Sequence, residues 1–148
     1  MRQPQTNLKV LRRSNRKPRQ GDLFVMQPDH AFLFGRVIRA QPTPAPMPLS
    51  YLIYVYADRS LRKEPSSVTL RPDRLLLPPV FINRMPWTKG YFETVGHEFL
   101  DEVAVLPQHC FWDAARARYV DLQQNRLPGE IQPCGDWALA SYRWLDDG

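Results

Sequence analysis

The residues best able to do chemistry are His30, His97, His109, Cys110 and Cys134, with the acids that surround His97. His109-Cys110 holds the ingredients of a thiol nucleophile and its base. Neighbours on a strand point to opposite faces, so these two cannot serve each other there, and Cys110 would need His97 or His30 delivered from elsewhere. A buried thiol acting as a small apolar side chain fits better. His97-Glu98 with Asp101-Glu102 offers acid/base groups but no HExxH spacing, and a solvated acidic turn accounts for it better. A zinc site would need both cysteines and added histidines, yet neither C-x₂-C nor H-x₃-H spacing occurs, so no metal is expected. The seven glycines are scattered, and none forms a phosphate-cradling loop. No residue pattern argues for an enzyme, and no cofactor is implied.

The elements that must position these groups are short. Gly21-Asp22-Leu23-Phe24-Val25-Met26 and Ala31 to Arg39 are strand-like runs joined by Gln27-Pro28-Asp29-His30, which reads as a β-hairpin. Gly35, inside the second run, marks a bulge or a close approach. Residues 41–48 alternate proline and predict an extended surface loop. Leu49 to Ala57 is the strongest strand, ended by Asp58-Arg59-Ser60. In it Tyr51, Ile53 and Val55 alternate with Leu52, Tyr54 and Tyr56, so both faces are covered. Ser66 to Leu77 reads as a short helix or irregular crossing, limited by Pro72. Pro78-Pro79 opens a strand at Val80 to Asn83, and the run Trp87 to Val95 continues it, broken by Gly90 and stopped at Gly96. Glu98 to Val105 is a helical turn or a loop. His109 to Trp112 and Arg118 to Leu122 form a hairpin, followed by a turn at 123–126. Residues 135–145 carry apolar side chains at helical spacing (Trp137, Ala140, Trp144), predicting a terminal helix capped by Asp136. The sum is a mainly β (α+β) domain, a small, strongly bent sheet or barrel-like structure with one or two short helices.

The net charge of +5 is unevenly placed. Residues 1–20 hold seven basic side chains and no acid, leaving 13 basic and 15 acidic groups in residues 21–148. A basic arm (1–18) therefore precedes one β-rich domain (19–148), and such arms either stay solvated or bind anionic partners. No run reaches the roughly 18 apolar residues of a membrane span, and no apolar segment follows the basic start. A cytosolic setting is expected, in which Cys110 and Cys134 stay reduced rather than form a disulfide. Trp87, Tyr91, Trp112, Trp137, Tyr142 and Trp144 are amphipathic anchors, most of them needed as core. Glu93, Glu98, Asp101, Glu102, Asp113 and Asp121 could meet a basic partner.

Residues 21–26 followed by Phe32-Leu33-Phe34-Gly35-Arg36-Val37 resemble the opening of the immunity protein 26 family, a GD-hydrophobic-F strand and then an aromatic-G-R-V strand. Leu75-Leu76-Leu77-Pro78-Pro79-Val80-Phe81-Ile82 is similar to the family's leucine-rich, double-proline entry into its next strand, and Trp87 with Val95-Gly96 to its tryptophan and glycine pair. Tyr119-Val120-Asp121 with Asn125 and the segment Trp137 to Tyr142 match less tightly. The resemblance spans residues 19–145; the arm before Lys17 lies outside it, and the proline-rich loop looks like an insertion. It implies a bacterial immunity protein, or antitoxin, of a polymorphic toxin system that occludes one cognate toxin domain, often a nuclease. On that reading Gly21, Asp22, Phe24, Phe34, Gly35, Arg36, Pro78 and Pro79 serve the fold. Trp87, Tyr91, Glu98, Asp101 and Glu102 are the candidate partner-binding residues. A glycine-aspartate strand entering a small barrel also resembles MazF/PemK-like endoribonuclease toxins. Those continue with a lysine-arginine-proline step, whereas Gly35-Arg36 here runs into Val37-Ile38. A nucleic-acid binder working through the arm is the remaining alternative, and the oligomeric state is open.

Overall fold

The computed structural model describes residues 7–142. Its larger sheet has five antiparallel strands in the order β4-β3-β2-β1-β5, where β1 is Asp22–Met26, β2 Phe32–Ala40, β3 Tyr51–Ser60, β4 Val80–Ile82 and β5 Glu93–His97. A smaller sheet has the order β7-β6-β8, from β6 Cys110–Asp113, β7 Arg118–Val120 and β8 Cys134–Asp136. The fold is mainly β, and neither sheet closes into a barrel. Register shifts at Leu23/Phe24, Leu33/Gly35 and Val37/Arg39 bend the larger sheet.

The expected alternation on β3 is what makes this sheet a central layer. Tyr51, Ile53 and Val55 pack with Phe24, Trp87 and Phe92 on one side, while Leu52, Tyr54 and Tyr56 pack with Phe34, Phe81 and Phe111 of the second sheet on the other. Ser60 and Arg59 stay in the strand because they pair with Phe32 and Leu33. Leu8, from the basic arm, is buried in the first cluster. The arm follows the domain through Lys9 N–H to Gln27 O (3.0 Å) and Leu11 N–H to Gly90 O (2.8 Å). Among the described residues no helix is long and apolar enough to cross a membrane.

Three expectations need correction. Trp87 lies in a single helical turn, α1 (Met85–Thr88), and not in a strand, because Pro86 suits the start of a helix and the turn lowers the indole onto Phe24 and Phe92. Gly96 sits inside β5, opposite Leu23, and does not stop it. No helix forms over residues 135–142: Asp136 ends strand β8, which runs parallel to β6. Trp137 N–H bonds Trp112 O and Ala140 N–H bonds Phe81 O, so the amides a helix would use serve long-range pairs. Trp137 packs edge-on against Phe81 and Phe111, a burial that an exposed terminal helix would forgo. Residues 143–145 of that expected helix, Trp144 among them, lie outside the described residues.

The cysteines are also not free thiols. Cys110 and Cys134 form a disulfide across the parallel β6–β8 pair, where their Cα atoms face each other at 4.6 Å. The sequence separation of 24 hides this adjacency, which the register alone creates.

Candidate functional site

Residues 98–106, the larger part of the segment joining β5 to β6, are held at both ends and exposed in the middle. At its start, Glu98 N–H donates to Gly21 O (3.0 Å). Arg36, only 5 % exposed, donates from Nη2 to the carbonyl oxygens of Glu98 and Phe99, both at 3.2 Å. The same nitrogen lies 3.7 Å from Glu98 Oε2. Gly21 has φ +94°, and a Cβ there would crowd Glu98 O, so a side chain would push the segment away. In the middle, Asp101 Oδ1 accepts from Ala104 N–H (3.0 Å) and caps a 3₁₀ turn over Glu102–Ala104. At its end, Leu106 N–H donates to Tyr54 Oη (3.0 Å).

Tyr54 Oη also lies 2.8 Å from His109 Nε2, so the buried phenol ties Leu106 to the His109 ring. Burial, with Arg39 adding to it, lowers the His109 pKa from 6.5 to about 4, and burial raises that of Tyr54 to about 12. A histidine whose folded pKa is depressed binds its proton more readily unfolded, so the stability it allows is complete above pH 6.5 and is lost as pH falls toward 4. Between pH 7 and pH 4 the loss amounts to about 2–3 kcal/mol. Urea unfolding of the wild type and of His109→Gln across that range should show it as a steeper fall in the wild type; parallel curves would refute it.

Between these two fixed ends stand Phe99 and Val103, 89 % and 81 % exposed. Glu98, Asp101 and Glu102 flank them, all exposed. A cleft of about 490 Å³ opens beside the turn, lined among others by Arg36, Leu70, Asp73, Asp101, Glu102 and Val103. Burial raises the pKa of the Tyr56 hydroxyl to about 12, while the Arg36 guanidinium beside it pulls the other way. Two large apolar side chains on a fixed backbone, edged by carboxylates, suit a protein surface carrying cations better than a small molecule.

The candidate partner-binding residues divide between surface and core. Glu98, Asp101 and Glu102 come together on this segment. Trp87 is 2 % and Tyr91 7 % exposed, and both pack in the core, Trp87 against Phe24 and Tyr91 against Tyr142 at 5.1 Å. Phe99 and Val103 are not legible as surface from sequence, because an apolar residue in a short run reads as core by default. The clue was their placement between acids in a stretch with no strand or helix period.

His97 does not join the acids beside it. Its Nδ1 meets Asp22 Oδ1 at 2.8 Å, and Asp22, fully buried, also accepts from Arg19 N–H (2.9 Å) and Arg16 Nη2 (3.3 Å). Among the described residues no group of three or more His, Cys, Asp or Glu side chains is arranged to hold a metal.

A mainly β protein with a fixed, acid-edged apolar segment is thus defined by the geometry. The model of the family described as Immunity protein 26 matches residues 19–121, and the chain belongs to that family. Neither a curated protein nor a solved structure matches it. Both Arg36 and Gly21, which fix the candidate surface, lie inside the matched region.

Proposed function

We propose that this chain is the non-catalytic inhibitor of a bacterial polymorphic toxin system, acting on one cognate toxin domain, a nuclease. It binds through the 98–106 segment and occludes the toxin's active or substrate site. The observation that carries this reading is the exposure of Phe99 and Val103 on a backbone already tied down by Arg36, Gly21 and Tyr54. A fixed anchor loses little conformational freedom on binding, which favours slow release. Glu98, Asp101 and Glu102 add attraction to the cationic substrate site of a nuclease. Recognition belongs to the domain of residues 19–148 and not to the arm of residues 1–18.

The test is co-expression with the C-terminal toxin domain encoded immediately upstream. Survival should be restored, and the two proteins should co-purify at high salt. Phe99→Ala should weaken the complex about tenfold, the size of an ordinary anchor loss, and Asp101→Lys with Glu102→Lys should weaken it further at low salt. Full protection by both variants would refute this surface, and toxicity unrelieved by the wild type would refute the function.

A further inference from the structure

A second cleft lies where the arm crosses β5, beside the root of the 98–106 segment, since His97 lines it and Glu98 follows. Its volume is about 490 Å³, and Arg12, Arg13, Arg16, Arg19 and His97 line it, with Glu93 as the lining acid. Glu93 is occupied by Lys63 at 2.8 Å, so it does not neutralise the arginines. The buried Asp22 is shared by Arg16, Arg19 and His97, one carboxylate among three donors. No side-chain partner is found for Arg12 or Arg13 among the described residues, although their backbones lie fixed against Gly90, where a Cβ would come within 3.1 Å of both.

From this arrangement we infer that the cleft binds the phosphodiester backbone of a single-stranded nucleic acid. Arg12 and Arg13 against Gly90, and Arg16 and Arg19 at Asp22, make two cationic stations on one cleft, which suits successive phosphates of a strand better than one phosphate group. Asp22 anchors Arg16 and Arg19 at its root, so the cationic row is ordered before the ligand arrives, which limits the entropy lost on binding. No Phe, Tyr or Trp lines the cleft, and the His97 ring is engaged by Asp22, so contact is to phosphate and carries little base preference.

The probe is a fluorescein-labelled 20-nucleotide oligouridylate titrated with the full chain at several salt concentrations, with inorganic phosphate as competitor. The expected result is binding that weakens with salt at a logarithmic slope near −3, as four phosphate contacts imply at about 0.7 per contact. Arg12→Ala with Arg13→Ala should lower affinity at least tenfold and flatten that slope by about 1.4, with Arg71→Ala and Arg126→Ala, both exposed and outside the cleft lining, as a control that changes neither. Both variants should melt like the wild type. No binding, or binding unaltered in the Arg12/Arg13 variant, would overturn the inference. Displacement by phosphate at concentrations that add negligible ionic strength would overturn the polymer in favour of a free phosphate ligand. Arg12 and Arg13 are not among the residues of the toxin surface, so the Arg12/Arg13 variant should still protect against the toxin, and the two proposals fail independently.

Discussion

Gly35→Ala is expected to cost about 3 kcal/mol or more of stability, at the upper end of overpacking penalties. Gly35 pairs with Phe24 across β1 and β2, and the Phe24 ring lies over it; an added Cβ would sit inside the ring's contact distance of Phe24 Cζ. The ring has nowhere to go. It stacks on Phe92 at 4.7 Å and meets Trp87 edge-on at 5.0 Å, and Trp87 in turn leans on Tyr51 at 6.0 Å. All four are at most 2 % exposed. Denaturant unfolding of Gly35→Ala beside Gly129→Ala makes the comparison, since a Cβ at Gly129 meets nothing within 4 Å. The first should melt roughly 6–12 °C below wild type, and the second should stay within about 0.5 kcal/mol of it. Equal stability of the two would mean that the aromatic cluster repacks freely.

The same cluster shows why parts of the fold were legible in the sequence. Where burial has a local period, the residues announce it: β1 and β2 flank a turn of Pro28 and Asp29, and the two faces of β3 alternate without a break. The family motif falls on this hairpin, and its glycine and arginine turn out to have separate tasks, one fitting the Phe24 ring and the other holding a distant segment. What was not legible depends on partners far along the chain. Trp137 and Ala140 have helical spacing, but Trp112 O and Phe81 O claim their amides. Cys110 and Cys134 look like isolated thiols until β8 aligns in parallel with β6. Trp87 and Tyr91 have the chemistry of interface anchors and the location of core residues. Phe99 has the reverse, and residue type alone cannot tell the two apart.

Arg36→Met separates folding from binding, and it carries the second large effect. Arg36 is a buried charge whose nearest carboxylate, on the exposed Glu98, stands 3.7 Å away, with the Tyr56 phenol as its buried neighbour. Its desolvation is therefore poorly compensated, and an apolar side chain of similar length should leave stability within about 1 kcal/mol of wild type. The carbonyls of Glu98 and Phe99 would lose their donor, but both belong to an exposed segment where water can replace it. Binding should respond differently, because the root of the segment would be freed and Phe99, Val103 and the three acids would all have to be ordered on contact with the toxin. Ordering several residues at about 1 kcal/mol or more each implies at least a hundredfold loss of affinity, more than Phe99→Ala alone. Calorimetry of the complex, set against the unfolding curve of the free variant, reads both quantities. A variant that unfolds like the wild type and no longer holds the toxin would place Arg36 as a positioning residue of the binding surface. A variant that binds normally would show that the segment keeps its shape without the arginine.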